Sequence, residues 1–414
     1  MTRVKPFKAL RPAAGFEKQV AALPYDVMTS AEARAMAVDA PYSFLHIDKA
    51  EIDLDEGIDP YDAAVYARAK ENLDRMTADG IFIQDPKPRF YIYMLTMDGK
   101  SQAGLVGCPS IDDYLSGSIK KHELTRAEKE ADRIRHVDVL DANTGPIFLT
   151  CRPQMELSAA MQECMDNSEP LYDFVSDDGI GHKIWVVEGN AVAVIEKIFN
   201  DIDALYIADG HHRCASAVRV GMKRREENPA FGGEEEYNSF LAVIFPSDQL
   251  RILDYNRVVR DLAGLSADEF IEKLKEAFEV SEYVGEDLPG PRRKHEFSLF
   301  LEEKWYVLTA KSGTWDDSDP VSRLDVSILQ NNVFAPILGI NDPRTDSRID
   351  FVGGIRGLAE LEARTRSDMK AAFALYPTTM DDLMDIADAG LIMPPKSTWF
   401  EPKLRSGLLI HKLK

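Results

Sequence analysis

Residues 205–213, LYIADGHHR, constrain the fold of this chain more than any other segment. Their apolar start predicts a short buried β-strand, and Asp209 followed by Gly210 predicts a sharp turn. A helix is then expected to begin near His212 and to end before Gly221. The segment therefore predicts a strand, a turn and a helix, with polar side chains at the junction.

The junction combines an acid, a glycine, two imidazoles and a guanidinium. Gly210 permits a positive φ and close approach by a ligand, and the N–H groups that open a helix favour an anion. Arg213 has the fork of donors that suits a phosphate or carboxylate. We expect phosphate contacts from Gly210, His212 and Arg213, and catalytic roles for Asp209, His211 and His212. In the alternative interpretation, Asp209 caps the helix and the histidines make local hydrogen bonds.

The second concentration of polar groups is 393–408, MPPKSTWFEPKLRSGL. Two prolines stiffen its start, and the rest supplies cations and hydroxyls within a short irregular loop. In a chain of net charge −21, such a basic cluster predicts a phosphate or carboxylate cradle. The phosphate-binding candidates here are Lys396, Ser397, Thr398, Lys403 and Arg405. The alternative is ordinary surface charge, with the aromatic residues at 399 and 400 anchored in the core.

Residues 120–139 are rich in charge, and most of these side chains are expected to form a solvated helix face. Thr125 and Glu128 have capping-box spacing, so we expect a helix to begin near Thr125. His122 and Glu123 stand just ahead of its positive end, Glu123 as a catalytic candidate and His122 in support. A zinc-protease helix is not predicted, because Arg126 stands where the second histidine is needed. No metal-binding set is predicted from spacing.

Composition limits the classes of protein and partner. The charge of −21 disfavours binding to nucleic acid or anionic lipid, and no segment approaches the apolar length of a membrane helix. The four cysteines show no CxxC spacing, which indicates reduced thiols. The first residues do not resemble a secretory signal. We therefore expect a cytoplasmic protein without a membrane partner, whose oligomeric state the sequence leaves open.

The chain of 414 residues is long enough for two or three subdomains. Its pattern of short strands and helices predicts an α+β fold with mixed sheets and flanking helices. We divide it into an N-terminal α+β region at 1–150, a core at 151–260 around the DGHHR turn, and a C-terminal α+β region at 261–414. The last region is expected to return the basic loop to that turn.

Several segments resemble hallmark stretches of the domain of unknown function 1015 family. They are YIADGHHR at 206–213, MPPKSTWFEPKLRSGL at 393–408, LPYDVM at 23–28, KHELT with DRIRHVDVL within 121–140, and TGPIF at 144–148. The resemblance spans nearly the whole chain, and it adds Tyr25, Asp26 and Arg133 as supporting site residues.

The DGHHR segment in turn resembles the signature of the ParB and sulfiredoxin-like superfamily, which includes archaeal free serine kinases. This resemblance implies a core of that type and phosphate contacts for His211, His212 and Arg213. Sulfiredoxin chemistry is not implied, because His211 stands where a cysteine is needed. ParB-type sliding on DNA is not implied either, since no helix-turn-helix or basic face is evident.

The leading hypothesis is an enzyme that binds a nucleotide or another phosphorylated metabolite and transfers a phosphoryl group to a small hydroxyl compound, with Mg²⁺. Glu123 or Asp209 would act as base, and Lys396 and Arg405 would cover the phosphates. One alternative is a regulatory module that binds a nucleotide without turnover. Another is a metal-dependent hydrolase, which requires His211 or His212 to lie beside His122 or Glu123. The sequence thus predicts that the DGHHR turn, His122, Glu123 and 396–405 share one pocket.

Overall fold

The protein is described by a computed structural model that covers residues 2–285 and 287–414. It has an α+β fold, as the sequence predicts, in two compact units. The first comprises the described residues up to Leu250 together with Pro402–Lys414, and the second comprises those of Arg251–Glu401.

The strands and helices are named in chain order. The strands are β1 Val4–Lys5, β2 Ala9–Pro12, β3 Phe82–Gln84, β4 Phe90–Met97, β5 Lys100–Pro109, β6 Ile119–Lys120, β7 Ala142–Asn143, β8 Ile147–Cys151, β9 Tyr172–Val175, β10 Gly181–Val187, β11 Leu205–Asp209, β12 Ala242–Pro246, β13 Ile252–Leu253, β14 Tyr255–Val259, β15 Phe278–Glu282, β16 Glu296–Leu301, β17 Lys304–Ala310, β18 Ile349–Gly353, β19 Ala371–Leu375, β20 Trp399–Phe400 and β21 Ile410–Lys412. The α-helices are α1 Glu17–Val20, α2 Ser30–Ala37, α3 Leu45–Asp48, α4 Ala63–Ala78, α5 Ile111–Ser116, α6 Ala127–Leu140, α7 Met155–Asp166, α8 Asn190–Asn200, α9 His211–Glu227, α10 Ala267–Leu274, α11 Asp325–Leu329, α12 Gly357–Ser367 and α13 Met380–Asp388. Short 3₁₀ turns cover Tyr25–Val27, Ala50–Asp53, Glu236–Asn238, Ser247–Gln249 and Gly354–Arg356, and a π turn covers Gln330–Phe334.

The largest sheet in the described part of the chain has nine strands and lies in the first unit. Its order is β6-β11-β8-β12-β5-β4-β10-β9, with β1 on β5. The pairs β6–β11 and β8–β12 are parallel, and the others are antiparallel. Helices α7, α8 and α9 contribute apolar side chains to one core with these strands.

The sheet contains the β4–β5 hairpin, whose turn the sequence predicts at Asp98 and Gly99. Its two turn residues, Asp98 and Gly99, have φ of 51° and 74°. Positive φ at both positions is what a two-residue hairpin of this hand requires, and it favours the Asp-Gly pair. The predicted strands at 146–151 and 239–245 are present as β8 and β12.

A smaller antiparallel sheet, in the order β3-β2-β21-β7, completes the first unit. Helices α2, α3 and α4 share a core with it. Helix α2 opens with the capping box that Thr29 and Glu32 predict.

The second unit has an antiparallel sheet in the order β15-β17-β16-β19-β14-β18, and α12 packs with its strands. A two-stranded ribbon joins β13 and β20. Ser266 and Glu269 form the predicted capping box of α10.

The nine-stranded sheet of the first unit takes strands from both 1–150 and 151–260, and the continuous part of that unit ends at Leu250. The division of the chain at 150 and 260 stays a prediction. The C-terminal stretch from Pro402 also belongs to the first unit.

Helices begin close to Thr125 and His212, as the sequence predicts, but the predicted capping box of the first and the predicted end of the second are wrong. Helix α6 begins at Ala127 with Arg126 as its N-cap and no side-chain cap, because Thr125 donates to the carboxylate of Glu130 instead, at 2.6 Å. Helix α9 begins at His211 and continues past Gly221 to Glu227.

The reason for the second error is close packing at Gly221. A Cβ atom there would lie 2.4 Å from the backbone oxygen of Tyr237. The glycine therefore marks a close contact between α9 and the following turn, and not a helix end.

No helix within 2–285 and 287–414 is long and apolar enough to span a membrane.

Replacing Gly221 with alanine tests this packing. At an open helical position the change stabilises by about 1 kcal/mol, whereas here the clash should destabilise by about 1–3 kcal/mol. The thermal unfolding midpoint of Gly221→Ala should therefore fall, while that of Arg219→Ala, an exposed change on the same helix, should stay within experimental scatter of the wild type. A higher midpoint for Gly221→Ala would contradict the contact.

Candidate functional site

The parallel pairing of β6 with β11 determines where the site lies. Leu205 pairs with Ile119 and Tyr206 with Lys120, so both strands end at the same edge of the sheet. The chain leaves β6 into Lys121, His122 and Glu123, and leaves β11 into Gly210 and α9. Two segments about 85 residues apart in sequence are thus brought side by side at strand ends, where α/β and mixed sheets commonly place ligands.

His122, Glu123 and His211 form one cluster. The rings of His122 and His211 have centroids 4.6 Å apart and are nearly perpendicular, at 88°. Nδ1 of His211 lies 3.8 Å from Oε2 of Glu123, and one nitrogen or oxygen from each residue lies within 4.8 Å of the others. Both histidines are buried, whereas the Glu123 side chain is 53% exposed. This cluster is therefore accessible from the Glu123 side.

The two imidazoles of the cluster are uncharged at neutral pH. Burial lowers the pKa of His122 to about 4, and burial together with the neighbouring His122 lowers the pKa of His211 well below its usual value. His122 is hydrogen-bonded to the backbone of Ile207, while its Nδ1 and the Nε2 of His211 have no hydrogen-bond partner among the described residues. Each ring thus presents a buried nitrogen that no group in the described part of the chain satisfies.

Asp209 is fixed by two contacts. Its Oδ1 accepts from the N–H of Gly210 at 2.8 Å, and its Oδ2 lies 3.0 Å from Nζ of Lys403. Burial by itself raises the pKa of this carboxyl, but the charges of Lys403 and Arg213 outweigh it and hold the pKa well below the usual range. Asp209 is therefore a carboxylate that anchors the turn, which makes it a poor general base.

Arg213 folds back over the turn. Gly210 has a φ of 91°, and the guanidinium of Arg213 lies 3.1 Å from where a Cβ at Gly210 would stand. One nitrogen of Arg213 donates to the carbonyl of Pro146 at 2.5 Å, while the buried Nε has no partner among the described residues. Burial lowers the pKa of Arg213, and the nearby charges of Asp26 and Asp209 raise it more, so the guanidinium is cationic.

A small cavity of about 30 Å³ lies beside Arg213. Arg133 and Tyr25 also line it, and the guanidinium of Arg133 stacks 4.0 Å from the centre of the Tyr25 ring while its Nε donates to Asp132 at 2.7 Å. Two of the three supporting residues that the family resemblance adds, Tyr25 and Arg133, thus line this cavity, and the charge of the exposed Asp26 acts on Arg213.

Several further lining residues received no role from the sequence, and three of them carry ionisable or hydroxyl side chains that contact or face one another. These three are Asp48, His136 and Thr144, and the Thr144 hydroxyl donates to Asp48 at 2.9 Å. His136 and Thr144 lie in the DRIRHVDVL and TGPIF segments, which offered a signal, whereas nothing around Asp48 distinguishes it from other acids in the sequence.

His212 points away from His211, as neighbours on a helix do. Its Nε2 accepts the backbone N–H of Arg126 at 3.0 Å, at the start of α6. This bond joins residues 86 apart in sequence and ties the N-terminus of α6 to that of α9.

The basic loop at 396–405 is not gathered at one point. Lys403 reaches Asp209, but Arg405 is ion-paired with Asp178 and lies 3.2 Å from Oγ of Ser176, at the β9–β10 hairpin. In the sheet order, β10 is separated from β11 by four strands. Arg405 therefore does not reach the DGHHR turn.

Lys396, Ser397 and Thr398 belong to the second unit. The carbonyl of Lys396 accepts from Arg257 at 2.9 Å, and the Ser397 hydroxyl donates to the carbonyl of Pro394 at 2.7 Å. These contacts fix the backbone of the segment within that unit.

The fold and this geometry define an α+β protein with a polar site at the ends of two parallel strands. The chain belongs to the family described as protein of unknown function (DUF1015), whose model matches residues 4–327. The family resemblance seen in the sequence is thereby confirmed. No curated protein matches the chain.

Solved structures resemble the chain at low TM-scores. A mutant free serine kinase in complex with AMP has 15% identity and a TM-score of 0.36, and covers 78% of this chain and 93% of its own. A mutant free serine kinase in complex with ADP has 15% identity, a TM-score of 0.35 and coverages of 77% and 92%. SbnI from Staphylococcus aureus, truncated at its C-terminus, has 11% identity, a TM-score of 0.36 and coverages of 72% and 82%. TM-scores this low do not establish a shared fold, so the ParB and sulfiredoxin-like core stays a prediction.

The Asp209–Lys403 pair gives a pH-dependent prediction. Because the pKa of Asp209 is lower in the fold than in the unfolded chain, its stabilisation is present above about pH 4, the unfolded value, and is lost as the pH falls further. Asp209→Asn should cost about 1–3 kcal/mol at pH 7, and the difference from wild type should shrink below about pH 4. Thermal unfolding from pH 3 to pH 8 measures both. The exposed Asp74→Asn is the control and should change little at any pH. A difference that grows as the pH falls would contradict the pair.

Proposed function

We propose that the protein binds the phosphate end of a nucleotide or another phosphorylated metabolite at the DGHHR turn and transfers a phosphoryl group to a small hydroxyl compound. The observation that carries the proposal is Arg213, a cationic side chain with an unsatisfied buried Nε, beside a cavity at the start of α9. Buried donors without partners are costly, and an anion would satisfy this one.

Three features support a phosphate at this point. Arg133 supplies a second guanidinium to the same cavity. Helix α9 has no side-chain cap, so its first N–H groups and its dipole favour an anion. Gly210 has no side chain, and this leaves room for the Arg213 guanidinium to lie over the turn. The cavity of about 30 Å³ has room for roughly two water-sized groups, so it would receive the end of a ligand rather than a whole nucleotide.

Glu123 is the better of the two candidate bases. It is half exposed and lies 3.8 Å from Nδ1 of His211, whereas Asp209 is committed to Lys403. In the proposed step Glu123 takes the proton of the acceptor hydroxyl, whose oxygen bonds to phosphorus as the bond from phosphorus to the leaving oxygen breaks. A carboxylate so placed favours an enzyme over a module that only binds.

A thermal-shift panel tests this proposal. ADP, ATP and inorganic phosphate, each with and without Mg²⁺, should include a compound that stabilises the protein by about 2.7 kcal/mol at a hundredfold excess over its dissociation constant. Arg213→Ala and Arg213→Lys should weaken that compound at least about tenfold, because a charge-assisted contact is lost or changed. The control is Arg219→Ala, which removes an exposed arginine of the same helix.

Two results would contradict the proposal. One is the absence of a shift from every phosphorylated compound. The other is an equal shift in Arg213→Ala and wild type. If Glu123→Gln still shows the thermal shift but no longer phosphorylates a small hydroxyl acceptor, phosphate binding does not need Glu123 and catalysis does.

The cluster of His122, Glu123 and His211 favours a second candidate function, a metal-dependent hydrolase. Neutral imidazoles with a carboxylate are the ligands of catalytic zinc sites. In a tetrahedral site with bonds of about 2.1 Å, ligand atoms lie about 3.4 Å apart. The 3.8 Å separation of the His211 and Glu123 atoms is close to that value. The bond from His122 to Ile207 would orient that ring, as metal-bound histidines require.

Calorimetric titration of chelator-treated protein with Zn²⁺ and Mn²⁺ separates the two functions. If the cluster holds a metal, one ion should bind at a ratio of one to one, and His122→Ala and His211→Ala should each weaken it at least about tenfold. His295→Gln, in the second unit, serves as the control. Equal binding by all four proteins would exclude the cluster as the metal site and leave phosphate binding at Arg213 unaffected.

A further inference from the structure

The second unit has a cavity of about 300 Å³ that the proposed function does not use. Its size is at the lower end of small-molecule pockets. Apolar residues form much of the wall, among them Val326, Phe334 and Phe351, and the amides of Gln330 and Asn341 add polar groups. Pro394 and Pro395, which begin the basic sequence segment, also line it.

Arg257 is the charged group that distinguishes this cavity. It lies on β14, between β18 and β19, and is 3% exposed. Its guanidinium donates to the carbonyls of Tyr255, Pro395 and Lys396 and lies 5.4 Å from the centre of the Phe351 ring. No carboxylate within 2–285 or 287–414 comes within 4.0 Å of it, and burial lowers its pKa to about 10, so it stays protonated at neutral pH.

A buried cation without an acidic partner is unusual, because buried charges are normally paired. The other guanidinium at the cavity, that of Arg344, is already neutralised by Asp342 at 2.9 Å. The cavity therefore carries one unbalanced positive charge. A monoanion balances that charge, whereas a phosphate dianion leaves an excess of negative charge.

Two backbone features concentrate at the same place. The π turn Gln330–Phe334 contributes two wall residues, and π turns are frequent at functional sites. Lys396 has a φ of 57°, an uncommon conformation for a residue with a side chain, and its carbonyl is one of the acceptors of Arg257. The hydrogen bond from Arg257 to the Lys396 carbonyl thus holds this backbone segment next to the cavity residues Pro394 and Pro395.

We infer that this cavity is a binding site for a small organic carboxylate with an apolar body, whose carboxylate pairs with Arg257. The apolar wall takes the body of the ligand, and the amides of Gln330 and Asn341 lie within the same lining. All residues named for this site belong to the second unit and none belongs to the DGHHR turn, so a ligand here would act as an effector.

Titration of the full-length protein with phenylacetate, its neutral analogue phenylacetamide and phenyl phosphate tests this inference. Phenylacetate should bind wild type, with phenylacetamide at least about tenfold weaker and phenyl phosphate weaker than phenylacetate. Arg257→Gln should weaken phenylacetate at least about tenfold, and Arg344→Ala should not. Val326→Phe places a larger side chain in the cavity wall and leaves Arg257 in the sequence, and it should also abolish phenylacetate binding. If Arg257→Gln fails to fold, the Val326→Phe result tests the inference.

The inference is overturned if phenylacetate does not bind wild type, if phenylacetamide binds as tightly as phenylacetate, or if phenyl phosphate binds most tightly of the three. Arg213→Ala should leave phenylacetate binding unchanged, and Val326→Phe should leave nucleotide binding unchanged. A negative result for one of the two sites therefore leaves the proposal for the other site unaffected.

Discussion

The parallel pairing of β6 with β11 is the interaction on which the site depends. Leu205 and Tyr206 lie beside Ile119 and Lys120, and this register brings His122 and Glu123 to Asp209 and His211. Antiparallel pairing would send the two segments to opposite edges of the sheet. Because β6 is only two residues long, the position of His122 and Glu123 relies on a short pairing that neighbouring contacts must support. One such contact is the bond from Arg126 to His212, which joins the two helix starts that follow the strands.

Charge divides the site into two halves. On one side, burial leaves the imidazoles of His122 and His211 neutral, with nitrogens that no described group satisfies. On the other, Arg213 and Arg133 remain cationic beside the small cavity. Asp209, near Arg213, is held ionised by Lys403. Neutral donors with a carboxylate suit a metal or a proton transfer, and paired guanidiniums suit a phosphate. The two proposed functions arise from these two halves.

Much of the local structure followed from the sequence, because strong signals are local. The Asp98–Gly99 hairpin, the capping boxes of α2 and α10 and the strand before the DGHHR turn are each encoded within a few residues. The errors arose where contacts with other residues determine the local structure. In the sequence Gly221 indicates a helix end, but in the structure it allows the backbone of Tyr237 to approach the helix. Thr125 donates to Glu130 rather than capping the helix.

Several residues of the site could be predicted from the sequence, but their spatial arrangement could not. Residue types indicated Asp209, His211, Arg213, His122 and Glu123, but only the strand pairing joins them. The basic segment 396–405 read as one cradle, yet Lys403 anchors Asp209, Arg405 pairs with Asp178, and Lys396 contributes to the second unit. A run of cations in sequence does not reveal which acids will neutralise it, and this is why the segment could not be interpreted from composition alone.

The central claim is that the DGHHR turn holds a tetrahedral oxyanion. Crystals soaked in tungstate, a heavy analogue of phosphate, locate such a site directly through anomalous scattering. The account predicts a peak within hydrogen-bond distance of the Arg213 guanidinium and the first N–H groups of α9. Peaks at other positions only, with none at this turn, would contradict it.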